Sequence, residues 1–180
     1  LKFHDTPNTV YGAAVESAVP GVYMFNLHVS GGEEMCKKAV EGAKAGAAKR
    51  GICAPYVIGV TVLTSLDKPD LDTDGYVDTS VDDLVLRRTE NAREWGLDGV
   101  VCPANKAGEL ERRFGSDFRY VTPGIEWGGI SGAGQKQLYT PERAVQDCSS
   151  SILVFGSAVA KAQDKRATAH DILKAMAQYL

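Results

Sequence analysis

The residues best suited to chemistry stand at the start of the chain, in Leu1-Lys2-Phe3-His4-Asp5-Thr6-Pro7-Asn8-Thr9-Val10. Lys2 and Asp5 are three apart, where an extended segment runs out into Pro7. That spacing can set an ammonium and a carboxylate beside one substrate carbon. A lysine held among carboxylates stays protonated and can deliver a proton, while a nearby carboxylate repels another anion. Taken bare, K-x-x-D fits a solvated surface salt bridge as well. His4 lies between the two and, by pleat alternation, is expected on the opposite side of the strand in a structural role. His28 closes a second apolar run and reads equally as a ligand or as a core histidine.

Elements that could position these groups follow from periodicity. Short β-rich runs occur at 22–29, 56–63, 99–102, 119–122 and 151–155, separated by segments with helical spacing. Met35, Cys36, Ala39, Val40, Ala43 and Ala47 line one helical face. Val81, Leu84, Val85, Arg88, Ala92 and Trp95 line a second, and Ala169, Ile172, Leu173, Met176 and Leu180 a third. Ser30-Gly31-Gly32-Glu33 reads as a capping box. Thr140-Pro141-Glu142 supplies an N-cap, a proline at the first helical position and an acid for the dipole. Alternating β and α elements predict an α/β fold with a parallel sheet. Polar or Gly/Pro chemistry at each strand end favours a barrel, whose working groups sit in the βα loops. Neither G-x-G-x-x-G nor G-x-x-x-x-G-K-[ST] occurs.

Composition narrows the partners. The chain has 180 residues, 44% apolar and 24% charged, with a net charge of −3. An acidic balance argues against nucleic acid or an anionic membrane as partner, since both select basic patches. The longest apolar run, Tyr56 to Leu63, is too short to span a bilayer. The opening residues carry no export signal, so a cytoplasmic setting is expected. Cys36, Cys53, Cys102 and Cys148 show no C-x-x-C pairing, and His4, His28 and His170 form no H-x-x-x-H pair. Reduced thiols are expected, with Cys102 a small buried apolar group. The acidic run Asp67, Asp70, Asp72, Asp74 and Asp78 lacks EF-hand spacing and reads as a solvated loop.

The opening string closely resembles the D-L-K-F-H-D-I-P-N-T segment of orotidine 5′-monophosphate decarboxylases. Five further matches follow in order. They are Met24-Phe25-Asn26-Leu27-His28-Val29-Ser30-Gly31-Gly32, Val60-Thr61-Val62-Leu63-Thr64-Ser65, and Leu97-Asp98-Gly99-Val100-Val101-Cys102-Pro103-Ala104. Val121-Thr122-Pro123-Gly124-Ile125 comes next, then Gly134-Gln135-Lys136 with Thr140-Pro141 and Leu153-Val154-Phe155-Gly156. The resemblance implies a (β/α)8 TIM barrel, with residues 1–180 forming one domain that covers about strands 3 to 8. It implies a homodimer with the site near the interface, and pyrimidine synthesis as the setting. It implies decarboxylation of orotidine 5′-phosphate to uridine 5′-phosphate with no metal or organic cofactor. Lys2 matches the catalytic proton donor to C6, while Asp5 and Thr9 match residues that reach the partner subunit's site. Thr64, Gln135 and Gly156 match substrate-contacting positions, and Thr6, Pro7, Pro123 and Ser157 fall in the same binding segments.

Loss of CO2 from C6 leaves a carbanion-like centre with no ring electron sink. Only interactions stronger in the transition state than in the ground state raise the rate. An ammonium beside that centre does so, and remote phosphate contacts supply binding energy.

Departures from the family pattern set further expectations. The aspartate before Leu1 and the first two strands lie outside this sequence. At about 30 residues per βα unit, roughly a quarter of a barrel is unaccounted for. A longer polypeptide or a partner is expected to supply it. Glu126 and Ser157 stand where the family has arginines that hold the phosphate. A charge-assisted pair is worth roughly 1.5–3 kcal/mol. Their loss therefore raises a second reading, a catalytically impaired homologue kept as a structural or interaction module. A third is a sugar-phosphate lyase sharing D-x-K-x-x-D, which the P-N-T continuation and V-T-V-L-T-S disfavour.

Overall fold

The computed structural model describes residues 1–129, 139–148 and 151–179. The first half runs β1 (Lys2–Phe3), α1 (Pro7–Ser17), β2 (Met24–His28), α2 (Glu33–Arg50) and β3 (Tyr56–Val60). Next come α3 (Lys68–Thr73), α4 (Val81–Glu94), β4 (Gly99–Val101), α5 (Ala104–Phe114) and β5 (Arg119–Thr122). The chain closes with α6 (Pro141–Asp147), β6 (Ser151–Leu153), α7 (Ser157–Ala160) and α8 (Lys165–Ala177). Contacts gather the chain into two compact units, Leu1–Thr61 with Asp83–Val100, and Val62–Asp82 with Val101–Leu180.

In the first unit the strands lie in chain order, and both pairings of β2 are parallel. Lys2 pairs with Asn26 and Phe3 with Leu27, while Met24 to His28 pair with Tyr56 to Val60. Val57, Ile58 and Val60 are buried, so β3 reads as a continuous apolar run, while β2 alternates buried Phe25 and Leu27 with half-buried Met24, Asn26 and His28. Helix α2 lies on α1 with glycine at the closest points. A Cβ on Gly42 would stand 2.5 Å from Tyr11 O, and one on Gly46 2.3 Å from Val15 O. Arg50 ties the same pair, donating from Nη1 to Val15 O at 2.8 Å and from Nη2 to Glu16 Oε2 at 2.7 Å. Gly51, at φ 64°, closes α2 by donating its N–H to Ala47 O and Ala48 O.

In the second unit Cys102, just after β4, donates its N–H to Val121 O, and β5 pairs with β6 in parallel. Helices α5 and α6 meet at Gly108, where a Cβ would stand 2.1 Å from Asp147 O. Tyr120 is fully buried, and its hydroxyl donates to the carbonyls of Leu110 and Gly115.

Two sequence expectations need correction. The box expected at Ser30 does not form. Val29–Gly31 makes a 3-10 turn, and Gly32, at φ 91°, takes the N-cap of α2 with no side-chain cap. The acidic run is not a plain loop, because Asp67 and Asp70 form a reciprocal capping box that starts α3. The cap expected at Thr140 does form, its side chain accepting from Arg143 N.

The glycine contacts generate a paired prediction. Gly12 lies in α1 with nothing within 4 Å of an added Cβ. Gly12→Ala should therefore stabilise by about 0.5–1 kcal/mol through helix propensity. Gly46→Ala gains the same propensity but drives a methyl into backbone, so a net loss of about 1–3 kcal/mol is expected. Denaturant unfolding midpoints check both, and equal shifts would refute the close α1–α2 contact.

Candidate functional site

Lys2 is exposed and opens the two-residue strand β1, which ends at Phe3. No carboxylate among the described residues lies within ion-pair distance of its ammonium. Asp5 follows in the loop, where its Oδ1 accepts the N–H of Thr6 at 2.6 Å. Thr6 takes the N-cap position of α1 with Pro7 in the first turn, and its hydroxyl meets that of Thr9 at 3.0 Å. Asp5, Thr6 and Thr9 are exposed and Pro7 is half-buried. The structure thus gathers Lys2, Asp5, Thr6, Pro7 and Thr9 into one strand-to-helix corner of the first unit.

His4 is not turned away from this corner. Residues two apart share one face of an extended segment, so His4 falls on the side of Lys2 and Phe3 on the other. The His4 ring stacks on that of His28, with centroids 5.2 Å apart and planes 24° from parallel. His28 is half-buried at the end of β2. Burial first, then the charges of His4, Lys2 and Arg88, hold its proton affinity below the ordinary 6.5. Arg88 was expected on the apolar face of its helix. Instead it reaches across from α4 and donates Nη1 to Thr61 O at 2.5 Å. Basic groups thus converge at this end of the sheet, where a negative ligand would gain most.

The second unit carries its own cavity of about 350 Å³, lined by Thr64, Pro103, Ala104, Asn105, Pro123, Tyr139 and Arg143. Two expected residues, Thr64 and Pro123, meet here although 59 positions separate them in the chain. Sequence reading missed Asn105, Tyr139 and Arg143, which no spacing rule connects. The Arg143 guanidinium stands 4.9 Å from the Tyr139 ring centroid, and its Nε is 3.6 Å from Asp147 Oδ2. The Tyr139 hydroxyl donates to the same carboxylate. Next to Pro123, the Thr122 hydroxyl is buried with no hydrogen-bond partner among the described residues.

Gly156 and Ser157 stand at the start of α7, where the N-cap makes no side-chain hydrogen bond. Glu126 is half-buried and donates its N–H to Tyr139 O at 3.0 Å. Gln135 lies outside the described residues, as do Gly134 and Lys136. Among the described residues no cluster of three or more His, Cys, Asp or Glu could hold a metal ion. Nor is any helix there long and apolar enough to cross a membrane.

With this geometry in view, the comparisons with known proteins are specific. The family model described as "Orotidine 5′-phosphate decarboxylase / HUMPS family" matches residues 1–172. The chain is 42% identical over 176 residues to an orotidine 5′-phosphate decarboxylase of Pseudoalteromonas translucida, covering 98% of this chain and 73% of the relative. It is 41% identical over 181 residues to that of Syntrophus aciditrophicus, covering 100% and 71%. Among solved structures, orotidine 5′-phosphate decarboxylase from Lactobacillus acidophilus superimposes with a TM-score of 0.83 at 34% identity, covering 98% of this chain and 73% of that one.

The surroundings of His28 predict how stability depends on pH. The folded chain binds the His28 proton more weakly than the unfolded chain, which takes it up as pH falls through 6.5. The unfolded state then binds more protons, so stability is full above that pH and declines below it. Chemical denaturation at a series of pH values should show this decline, and His28→Gln should flatten it. An unchanged slope in the variant would contradict the assignment.

Proposed function

This chain belongs to the orotidine 5′-phosphate decarboxylase / HUMPS family, of (β/α)8 fold, and we propose that it converts orotidine 5′-phosphate to uridine 5′-phosphate with Lys2 as proton donor. The C6–carboxylate bond breaks and leaves its electron pair on C6. CO2 departs, and Lys2 Nζ transfers a proton to C6. The resulting neutral amine recovers a proton from solvent. The observation that carries this reading is the placement of Lys2. It is exposed on the two-residue strand β1, three positions before Asp5 and close enough to His28 for their charges to interact. An ammonium there stabilises the carbanion-like transition state more than the ground state, because the negative charge moves onto the carbon it faces.

Asp5 and Thr9, both exposed, are assigned to the partner subunit's site in a cytoplasmic homodimer. Thr64 and Pro123 are assigned to the nucleotide, an assignment supported by the cavity they share. Gln135, Gly156 and Ser157 are assigned to the phosphate end, and Thr6 and Pro7 to the loop that frames the reacting carbon. Arg143 stands on the Thr64–Pro123 cavity and supplies a positive charge that sequence reading did not foresee.

A second reading has its own observation. Glu126 and Ser157 occupy positions where the family places arginines, which favours an impaired homologue acting as a structural or interaction module.

Ultraviolet-monitored turnover of orotidine 5′-phosphate by the chain and by its Lys2→Ala variant decides between the two. The expected result is turnover that falls by about 10²–10⁴-fold in the variant, the usual range for losing a general acid. A folded chain with no turnover would overturn the enzyme reading in favour of the module. Turnover of a sugar phosphate instead would assign the chain to the other branch of the family name.

A further inference from the structure

Three observations meet at the end of β1 and are not used by the reaction as written. The first is register. Lys2 faces Asn26 and Phe3 faces Leu27, so the next step sets His4 opposite His28, where the two rings stack. The second is space. The Cδ2 atom of His4 lies only 3.2 Å from where a Cβ on Gly31 would stand. A Cβ there would strike the Met35 thioether first, at 2.2 Å from Sδ, and would also crowd the His4 ring, so glycine at 31 leaves room for both side chains at the turn that follows β2. The third is the charge on every side of His28. Lys2 and His4 act on it from the β1 side and Arg88 from α4, and all carry or can carry positive charge.

We infer that His28 is a positioning residue for Lys2, acting through the ring of His4. This inference rests on the reading of Lys2 as the proton donor. Strand β1 is two residues long and its other holds, at Leu1 and Phe3, lie before His4, so the His4 ring is the contact that fixes the backbone between Phe3 and Asp5. The His4 ring is exposed, but its stack on His28 and its approach to the turn at Gly31 anchor that backbone one residue before Asp5. A neutral imidazole stacks at little electrostatic cost. A charged one would face Lys2, Arg88 and a protonatable His4 in a half-buried setting, and the pair would part. Lys2 would then lose its aim while remaining an ammonium. The effect belongs to kcat rather than KM, because Lys2 meets its partner atom fully only in the transition state.

The test measures kcat and KM for orotidine 5′-phosphate from pH 5 to pH 9 with wild type, His28→Phe and His28→Ala. Phenylalanine keeps a ring to stack on but takes no proton; alanine keeps neither property. Wild type should show kcat falling at acid pH with KM nearly flat. His28→Phe should retain kcat at neutral pH within about threefold and lose the acid limb. His28→Ala should lose about tenfold in kcat across the range, since small misplacements of a reacting group cost one to two orders of magnitude. The substrate phosphate titrates near pH 6 as well, but that signal is common to all three proteins. An acid limb that survives in His28→Phe would overturn the inference, and so would His28→Ala matching wild type in kcat.

If wild type turns over no orotidine 5′-phosphate, the proposed reaction fails, and the ring coupling is read directly. With three histidines in the chain, the imidazole resonances of His4 and His28 can be followed by NMR against pH. Stacking predicts that the His4 resonances move as His28 titrates, and that this step disappears in His28→Phe. Independent titration of the two rings would overturn the coupling.

Discussion

Lys2 is held in a strand whose ladder joins only Lys2 to Asn26 and Phe3 to Leu27, and so short a pairing cannot aim a long side chain by hydrogen bonds alone. The register between β1 and β2 is nevertheless the constraint from which the rest of this corner follows. Slipping it by one residue would turn Lys2 to the opposite face of the sheet. Packing on either side opposes the slip. Leu1 O accepts the N–H of Asn26 at 3.0 Å, the Phe3 and Phe25 rings meet at 5.4 Å, and His4 lies on His28. Phe25 is buried, so its contact with Phe3 couples the position of Lys2 to the core rather than to the surface.

Behind that corner stands a scaffold that keeps the β2 end in place. Five consecutive pairings join β2 to β3, and the N–H of Val57 in β3 donates to Asp98 Oδ2 at 2.8 Å. Helix α1, which begins directly after Asp5 and Thr6, is pressed onto α2 at Gly42 and Gly46. Motion of α1 would carry the Asp5–Thr9 segment with it. The glycine contacts therefore bear on the geometry of the site as well as on stability. In the second unit the cavity under Thr64 and Pro123 is framed in its own way, with Tyr139 bonded to Asp147 and Arg143 over the Tyr139 ring.

The strands were the most legible part of the sequence. Tyr56–Val60 is apolar throughout and Met24–His28 alternates buried Phe25 and Leu27 with half-buried neighbours, and both fall inside the runs read from residue types alone. Helix α1 was not legible, because its buried positions are the small or short residues Val10, Ala14 and Ser17 rather than a large apolar stripe. The expectation for His4 fails because residues two apart in an extended segment share a face, which puts His4 with Lys2 and against His28. The expected box at Ser30 failed because a 3-10 turn and a glycine at positive φ occupy that junction. Arg88 and Arg143 were invisible as site residues. Each reaches its neighbours through folding, at chain distances where no local spacing carries a signal. Lys2, Asp5 and Thr9 come together in one corner because one unbroken string of sequence holds them.

The central claim is that Lys2 handles the proton at C6. The most direct test avoids CO2 altogether, because a group that delivers a proton to C6 must also remove it in reverse. Uridine 5′-phosphate held with the protein in D2O should exchange its C6 hydrogen for deuterium, detected by NMR or mass. The account predicts exchange with the wild-type chain and none above background with Lys2→Ala. Equal exchange by both would contradict it and move the proton to another group.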